Sequence, residues 1–451
     1  MSEDNITGPR SRPAPNENDQ SLKNILIEKT NSDFERDPLI RPFGFAGGFT
    51  TEIWQSVSYL ESSSGIHSIG LGTQSVLWSD GKVFANHSES GGNALMFALT
   101  ERALQMVKGM KFRSPVELLE DIFPELEQYA KMITCNPQLR KTFILNALVG
   151  LDNAAWILYA RENGFNTFDE IIPERYRAAL SNRHDKVAGI PLMSYGIPVN
   201  EIIDAVDQGY FFIKIKIGQP GTQEEMLEKD KQRLAAIHKA IGNVKTEYTK
   251  NGKLPYYFDA NGRYEKKETL MRLLDHAAAI GAIDQIALIE EPFPEGMKSD
   301  VKDIPVNLAA DESAHTDMDA VERIQMGYGS IALKAIAKTL SMTLKIADVA
   351  SRHNIPCFCA DLTVNPVLVE WNKNVAARLK PFPGIGDIGL MESNGHQNYK
   401  NWESIMNYHP CKEAPWVRAR KGVYDLDDEF YSTGGGIFDA MPHYEKMFVR
   451  Q

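Results

Sequence analysis

The sequence predicts an α/β fold: a (β/α)8 barrel of the TIM type that follows an α+β capping domain. Three observations predict it. Strand-like runs occur between about 50 and 86, long segments with helical spacing follow up to about 163, and after about 186 eight short apolar runs alternate with helical segments. Strands that alternate with helices form parallel βαβ units, and eight of them across about 210 residues is the size of one closed barrel.

The length and composition fit this architecture. The chain has 451 residues, of which 43% are hydrophobic and 24% charged, enough for a large core and two domains. We predict a polar N-terminal extension over 1–44, the capping domain over 45–185 and the barrel over 186–396. A C-terminal segment, 397–451, is expected to return over the capping domain. The first twenty residues have the polar composition of disordered chain.

The capping domain is predicted element by element. The runs IWQSVSYL, GIHSIGLG and QSVLWSD alternate apolar and polar residues between Ser and Gly, which predicts a small antiparallel meander. Helices are predicted in GGNALMFALTERALQMVKGM, SPVELLEDIFPELEQYAKM and QLRKTFILNALVGLDNAAWILYAREN.

Charge and cysteine content exclude several classes of protein. The net charge is −11, and the longest basic cluster, VRARKG, stands close to the acidic DLDDEF, so we predict no nucleic-acid partner. Four cysteines are too few for a disulfide framework. No run reaches the ~18 apolar residues of a membrane span, and the N-terminus lacks the features of a signal peptide. We therefore expect a cytoplasmic protein without a membrane partner.

The predicted barrel strands end in residues that can bind a metal ion. The eight runs are VAGIPLMSYG, YFFIKIKIG, LPYYFDANG, QIALIEEPF, VNLAADES, SIALKAIAK, IPCFCADLT and GDIGLMESNG. Runs three to five end in Asp259 and Asn261, in Glu290 and Glu291, and in Asp311 and Glu312. Oxygen ligands on one rim favour Mg²⁺, with Mn²⁺ as a substitute, over zinc. A divalent ion also relieves the repulsion between clustered carboxylates.

Lysines stand on either side of these carboxylates. Lys214 and Lys216 share one face of strand two, and Lys334 follows strand six, which lies across the barrel mouth. Lys338 competes with Lys334, but strand phase favours Lys334. The arrangement suits removal of a proton α to a carboxylate, provided that neighbouring cations or burial lower the pKa of the lysine that acts as the base.

Taken together, K-x-K, D-x-N, IEEP, ADES and the strand-six lysine resemble the enolase superfamily. The similarity is to its muconate-lactonizing-enzyme-like subgroup, within the mandelate racemase/muconate lactonizing enzyme family. The segment NALVGLDNAAW resembles the helix that precedes the barrel in that family, and the meander resembles its capping domain. The resemblance covers about residues 45–395.

The resemblance implies a role for each site residue. It makes Asp259, Glu290 and Asp311 the Mg²⁺ ligands, Lys216 the base on one face of the substrate and Lys334 the acid or base on the other. Lys214 then neutralises the substrate carboxylate, and Asn261 and Glu312 support the ligands. Asp361 and Glu392, at the ends of strands seven and eight, are candidate substrate contacts, with structural caps or salt-bridge partners as the equal alternative.

Three departures from the family pattern stand out. The meander reads GLGTQS where a G-x-G-E segment is common, so the acidic residue is missing. Strand seven ends in CADLT without the histidine of mandelate-racemase-like members. Strand eight reads GDIGLMES without the D-x-D of dipeptide epimerases, which argues against a dipeptide substrate.

The function expected from these observations is an isomerase that acts on a small-molecule carboxylate. Two lysines on opposite faces of a substrate suit a racemase or epimerase. Dehydration of an acid sugar and cycloisomerisation start with the same proton removal and remain alternatives. A Schiff-base aldolase would also use a strand-six lysine. A non-catalytic binding protein with this fold is the most distant alternative. The resemblance also implies a homo-oligomer.

Overall fold

The computed structural model describes residues 22–45 and 48–449. It contains two sheets. The predicted disorder of the first twenty residues concerns a stretch outside the described residues. The first sheet is formed by β1 (Ile25–Phe45), β2 (Gly48–Ser62), β3 (His67–Gln74) and β4 (Lys111–Phe112). The second is formed by β5 (Lys186–Ile190), β6 (Leu192–Met193), β7 (Ile213–Lys216), β8 (Tyr256–Asp259), β9 (Ile286–Glu290), β10 (Leu308–Ala310), β11 (Ser330–Leu333), β12 (Cys357–Cys359), β13 (Gly389–Glu392) and β14 (Val423–Asp425).

The helices pack around and between these sheets. In the capping part they are α1 (Val76–Ser79), α2 (Gly81–Val107), α3 (Pro115–Ile133), α4 (Lys141–Ala147), α5 (Val149–Asn163), α6 (Phe168–Ile171) and α7 (Glu174–Arg177). In the barrel they are α8 (Val199–Asp207), α9 (Gln223–Ile241), α10 (Lys267–Ala279), α11 (Asp317–Met326), α12 (Ala335–Lys338), α13 (Leu340–Arg352) and α14 (Pro366–Ala376). The C-terminal part holds α15 (Gly395–Asn398), α16 (Trp402–Met406), α17 (Asp428–Thr433) and α18 (Pro442–Glu445).

The second sheet closes into the predicted barrel. The strands pair in parallel in chain order from β6 to β13, and β13 then pairs in parallel with β5. Only Pro191 separates β5 from β6, because its missing N–H interrupts one continuous strand. Backbone bonds span the break, from Ser393 N to the Ile190 carbonyl at 3.1 Å and from Lys214 N to the Pro191 carbonyl at 3.0 Å. The (β/α)8 prediction is confirmed, with all eight runs at strand positions.

The antiparallel sheet corrects two predictions. The run QSVLWSD forms the helical turn α1 and not a third strand of the meander. The third strand is β1, which lies in the stretch predicted as a polar extension and pairs with β2. On its other side β1 pairs with β4 through Ile25 and Leu26 alone. Most of β1 is therefore a sheet edge, where charged side chains are usual, and this explains its polar sequence.

The long capping helices follow the prediction, with one break. The segment predicted as one helix from 138 to 163 forms α4 and α5, which meet at an angle of 49°. Within the described ranges, no single helix is long and apolar enough to cross a membrane. Only this bent pair together meets that length and apolarity, and almost all of α5 is buried against the sheet and neighbouring helices.

The close packing of α5 explains the glycines of the meander. A Cβ at Gly70 would collide with the backbone of Gly150 and Ala154, and a Cβ at Gly72 would collide with the backbone of Gly150. The GLG run therefore allows α5 to lie directly on β3. This contact positions the end of β3, and with it α1, above the barrel mouth.

The C-terminal segment contacts both domains. Lys400 N donates to the Pro38 carbonyl at 3.0 Å, and Gln55 Nε2 donates to the Tyr399 hydroxyl at 2.8 Å, so the segment runs along the capping sheet. Farther on, β14 pairs antiparallel with β5. The segment thus ties the capping sheet to the first barrel strand.

Candidate active site

A pocket lies between the capping sheet and the carboxyl ends of the barrel strands. The barrel contributes nine of the predicted residues to its wall: Lys214, Lys216, Asp259, Asn261, Asp311, Glu312, Lys334, Asp361 and Glu392. The tenth, Glu290, is buried directly behind and is bonded to Lys214. Closure of the barrel therefore brings all ten residues together, as the rule for strand ends requires.

Lys214 is the most heavily paired cation of the site. Its Nζ lies 2.9 Å from Asp259 Oδ2, 2.9 Å from Glu290 Oε2 and 3.1 Å from Glu392 Oε2. Burial lowers the pKa of this lysine, but the three carboxylates outweigh burial, and the pKa rises well above its usual value. Lys214 is therefore a fixed positive charge.

Lys216 lies beside it on the same strand face. Its Nζ is 2.5 Å from Asp259 Oδ2 and also contacts Asn261 Oδ1. The Asn261 side chain donates to Glu312 Oε1 at 3.1 Å, so it links the lysine to the next carboxylate. Burial raises the pKa of Asp259, but Lys214 and Lys216 together outweigh burial and hold it below its usual value.

Lys334 reaches the pocket from the opposite side. Its Nζ lies 2.5 Å from Asp311 Oδ2, and the Trp78 ring lies over it at 4.5 Å. Burial lowers the pKa of Lys334, but Asp311 and Glu312 outweigh burial, so its pKa is raised. Carboxylates therefore surround the ammonium group of Lys334 more closely than other cations do.

The competitor Lys338 has a different position. Its Nζ donates to the main-chain carbonyls of Asp311, at 2.7 Å, and Ala314, at 3.0 Å. It is completely buried and does not line the pocket. Lys338 thus holds the loop that carries Asp311, whereas Lys334 faces the pocket.

Three buried carboxylates form a group that could hold a cation. Ligand oxygens of Glu290, Asp311 and Glu312 lie within 4.8 Å of one another. Burial and the charge of Asp259 raise the pKa of Glu290 well above its usual value, and burial and Asp311 raise that of Glu312. Among the described residues, Glu312 Oε2 has no hydrogen-bond partner. This set of oxygen donors fits a hard divalent cation.

Asp259 stands apart from this group. Its carboxylate is held by Lys214 and Lys216, and it is not one of the three residues whose oxygens lie within 4.8 Å of one another. Glu290 and Asp311 thus belong both to the ligand set implied by the sequence and to the group in the structure. The third ligand is Asp259 in the set implied by the sequence and Glu312 in the group found in the structure.

The ends of strands seven and eight differ in how fully they are bonded. Glu392 accepts hydrogen bonds from Lys214, from Asp361 N at 3.0 Å and from Asn394 Nδ2 at 3.0 Å. Within the described part of the chain, Asp361 accepts from two backbone donors, Leu362 N and Asn394 N, both at 2.7 Å. Burial and the charge of Glu392 raise the pKa of Asp361 to about 7. Glu392 acts as a salt-bridge partner, whereas Asp361 keeps free acceptor positions.

Two residues of the site were missed in the sequence. The Tyr257 hydroxyl donates to Glu290, and its ring lies 5.1 Å from Lys214 Nζ. Its period-2 spacing from Asp259 was a usable signal, because the two residues share one face of β8. Trp78 comes from α1, in the segment predicted as a strand, and nothing in its sequence context placed it near Lys334.

Comparisons with known proteins concern the barrel and the fold. Residues 199–392 match the family described as enolase C-terminal domain-like, a range that runs from α8 to the end of β13. A search of curated proteins finds no match in sequence.

Solved structures resemble the chain over most of its length. A member of the enolase superfamily from Listeria innocua has a TM-score of 0.62 and 19% identity, with 94% of this chain and 97% of that chain covered. A dipeptide epimerase from Enterococcus faecalis, complexed with Mg and the dipeptide L-Leu-L-Tyr, has a TM-score of 0.61 and 17% identity, with 91% and 99% covered. An N-succinyl Arg/Lys racemase from Bacillus cereus has a TM-score of 0.59 and 15% identity, with 84% and 89% covered.

These likenesses concern the fold, and the family match concerns the barrel. Together they confirm the resemblance inferred from the sequence. The comparisons therefore assign residues 199–392 to the enolase C-terminal domain-like family, and the fold of the chain is similar to that of mandelate racemase and muconate lactonizing proteins.

Proposed function

We propose that the protein is a metal-dependent racemase or epimerase that removes the proton α to the carboxylate of a small substrate. One observation carries the proposal: Lys216 ends β7, Lys334 follows β11, and both line the same pocket. In the closed ring of strands these two lie on opposite sides. A substrate between them presents one face of its α-carbon to each lysine.

Several residues of the pocket each have a separate role in a 1,1-proton transfer. Lys216 removes the proton from one face, and Lys334, held protonated by Asp311, delivers a proton to the other; the reverse reaction exchanges their roles. Lys214, a fixed positive charge, pairs with the substrate carboxylate. Asn261 orients Lys216 through its side-chain oxygen. Trp78 covers the pocket from the cap and keeps water from Lys334.

We infer that Mg²⁺, with Mn²⁺ as a substitute, binds to Glu290 and Asp311, together with Asp259 or Glu312. The close approach of the buried oxygen donors of Glu290, Asp311 and Glu312 supports this inference. When bound, the ion stabilises the second negative charge that develops on the substrate carboxylate. The dipeptide epimerase from Enterococcus faecalis, which has a similar fold, was solved in complex with Mg.

Dehydration and cycloisomerisation begin with the same proton removal and remain the alternatives. The isomerase is preferred because the two lysines face each other across the pocket and because relatives of the same fold include epimerases and a racemase. A Schiff-base aldolase is disfavoured because it needs no carboxylate cluster beside its lysine. Cytoplasmic residence and a homo-oligomeric state stay predictions.

The test is proton NMR in D2O with Mg²⁺, on pools of single enantiomers of α-substituted carboxylates. Wild-type protein is expected to exchange the α-proton of both enantiomers and to interconvert them. Lys216→Ala and Lys334→Ala should each slow the interconversion of enantiomers by about 10²-fold or more. Each variant should still exchange the α-proton of the enantiomer from which the remaining lysine removes it. Lys239→Ala, at an exposed position of α9, is the matched control.

Two results would contradict the proposal. Either lysine variant could interconvert enantiomers at the wild-type rate, or no pool could show α-proton exchange with the metal-loaded protein. Trapping of Lys334 by borohydride in the presence of a carbonyl substrate would instead favour the aldolase.

A further inference from the structure

We infer that Tyr399 is a positioning residue of the pocket, because its hydroxyl, oriented by the capping sheet, holds Thr363 in a left-handed backbone conformation. Tyr399 belongs to the C-terminal segment and does not itself line the pocket, whereas Thr363 does. The inference rests on the proposed function, since this pocket is the proposed substrate site. Its basis is one chain of buried hydrogen bonds and the backbone geometry at the end of that chain.

Thr363, in the turn after β12, has an unusual backbone conformation. Its φ is 59°, and among the described residues with positive φ it is the one that lines the pocket and is branched at Cβ. The left-handed conformation brings Cβ close to the following carbonyl oxygen, so it is unfavourable for such a residue. It persists only where surrounding contacts hold it. Contacts from outside the turn therefore have to stabilise Thr363.

Two hydrogen bonds hold Thr363 in this conformation. The Tyr399 hydroxyl donates to the Thr363 carbonyl at 2.6 Å, and the Thr363 hydroxyl donates to Asn394 Oδ1 at 2.6 Å. All three residues are buried. A buried carbonyl that loses its donor is costly, because no water replaces the lost bond. Tyr399 thus fixes the main chain of the turn, and Asn394 fixes the threonine side chain.

The capping sheet determines the direction of the Tyr399 hydroxyl. Gln55 on β2 donates from Nε2 to the hydroxyl oxygen at 2.8 Å, so the hydroxyl proton points to the Thr363 carbonyl. The amide of Gln55 is fixed in turn, since the Thr73 hydroxyl on β3 donates to its Oε1 at 2.7 Å. Gln55 and Thr73 are completely buried. The chain of bonds therefore runs from two strands of the cap through the C-terminal segment to the barrel rim.

The turn that Tyr399 holds carries two further pocket residues. Asp361 and Leu362 directly precede Thr363 and also line the pocket. Leu362 belongs to its apolar wall, together with Leu39 and Ile53 of the capping sheet. A change of φ at Thr363 would displace this part of the wall. The two lysines of the proposed proton transfer come from other strands, so loss of the hydroxyl should impair substrate binding more than proton transfer.

The first test is hydrogen exchange of the full-length protein, followed by mass spectrometry. Tyr399→Phe removes the hydroxyl and keeps the ring, which stacks on Trp402. Exchange in peptides that cover 361–365 should accelerate about tenfold, because the turn opens more often. Tyr431→Phe is the matched control, since Tyr431 is also buried and its hydroxyl donates to the His184 carbonyl at 2.7 Å, away from the pocket. Wild-type exchange of the turn in Tyr399→Phe, or equal acceleration in the control, would overturn the inference.

A second variant tests the link to the capping sheet. Gln55→Met removes the donor that orients the Tyr399 hydroxyl and keeps a side chain of similar length. Exchange in 361–365 should accelerate about threefold, less than in Tyr399→Phe, because the hydroxyl can still donate to Thr363 for part of the time. Wild-type exchange in Gln55→Met would overturn the role of the cap.

A crystal structure of Tyr399→Phe and its kinetics separate positioning from a general loss of stability. We expect Thr363 to have a negative φ in the crystal, and an unchanged positive φ would overturn the inference. The kinetic probe is the carboxylate whose α-proton exchanges fastest in D2O. On it, Tyr399→Phe should raise KM about tenfold and change kcat less than about twofold, whereas Tyr431→Phe should change neither. A fall in kcat at constant KM would contradict positioning of the pocket wall.

The failure of this inference can be told from the failure of the proposed function. Hydrogen exchange and the φ of Thr363 are measured without substrate. If both change as expected and no carboxylate exchanges its α-proton, the role of Tyr399 in the turn stands and the racemase fails. If the wild type exchanges α-protons and the turn is unchanged in Tyr399→Phe, the racemase stands and this inference is overturned.

Discussion

The indole ring of Trp78 lies 4.5 Å from Nζ of Lys334, so a residue of the capping part covers a lysine of the barrel. The Trp78 carbonyl accepts a hydrogen bond from Arg140 Nη1 at 3.1 Å, and Arg140 Nε donates to Glu295 at 3.0 Å. Arg140 thereby connects the turn that carries Trp78 to the barrel. The site is completed only when cap and barrel are packed together.

Replacement of Trp78 by leucine is expected to lower kcat/KM while the fold is retained. A cation–π contact of a buried lysine contributes about 0.5 to 2 kcal/mol, which corresponds to roughly 2- to 30-fold in rate. Steady-state kinetics on the substrate found by NMR would measure it. Trp54→Leu is the control, because Trp54 is also buried in the cap but stacks on Phe34 away from the pocket. Unchanged kinetics in Trp78→Leu would contradict the role.

The identity of the third metal ligand can be decided by matched amide variants. Glu290→Gln and Asp311→Asn are expected to weaken Mg²⁺ binding the most, since both residues belong to either candidate set. If Asp259 is the third ligand, Asp259→Asn should weaken binding more than Glu312→Gln, and the order reverses if Glu312 is the ligand. Neighbouring groups that only orient ligands change metal affinity by about 10- to 100-fold. Titration calorimetry gives the values, and wild-type affinity in all four variants would exclude this site.

Glu89 is expected to position the strand that forms part of the apolar pocket wall. A break in α2 at Ser88, whose φ is 66°, lets the Glu89 carboxylate accept from Thr51 N at 2.6 Å and from Thr51 Oγ1 at 2.7 Å. It also accepts from the hydroxyl of Thr50, which lines the pocket. Glu89→Ala should cost about 1 to 3 kcal/mol of local stability and raise KM more than it lowers kcat.

Amide hydrogen exchange at Thr51 gives a direct measurement of the Glu89 effect. Exchange there should accelerate in Glu89→Ala and stay unchanged in Glu101→Ala, a change at an exposed position of the same helix. A variant in which kcat falls and KM is constant would argue against a positioning role.

The interface between cap and barrel should weaken as the pH rises, because Asp152 is buried there. Burial raises the pKa of Asp152 to about 7, although Ser341 donates from its backbone N at 3.1 Å and from its hydroxyl. The unfolded value is about 3.9, so the folded state holds the proton more tightly. The contribution of this tighter proton binding to the free energy of unfolding is fully present below about pH 4. It is lost as the pH rises through about 7, and the loss amounts to up to about 4 kcal/mol.

Urea unfolding at about pH 5 and about pH 8 tests whether the free energy of unfolding falls as the pH rises. Asp152→Asn imitates the protonated carboxyl, so its free energy of unfolding should fall less between the two pH values than that of the wild type. Asp204→Asn should behave as the wild type does. A larger fall in Asp152→Asn than in the wild type would show that the sign is wrong.

The sequence by itself determined the barrel fold and the charged residues that stand at the ends of its strands. Alternation of apolar runs with helical segments is a local property, and the parallel closed sheet follows from it because strand ends must gather on one rim. The K-x-K spacing on β7 and the carboxylates that follow β8, β9 and β10 were therefore predictable from period-2 phase. The conversion of QSVLWSD into a helical turn was not, since its alternation is that of a strand.

Only the tertiary structure decided which of these groups face one another. The cap places Trp78 over Lys334, and the polar strand β1 brings Leu39 and Phe43 to the pocket. The tertiary structure also determines the charge state of each lysine in the site. Burial and distance decide whether carboxylates or other cations have the larger effect on its pKa. Lys334 is held protonated by Asp311, which lies far from it in sequence and 2.5 Å away in space. The contact of Trp78 with Lys334 depends on how cap and barrel pack, and the contact of Asp311 with Lys334 depends on how neighbouring barrel strands align. No local pattern encodes either contact.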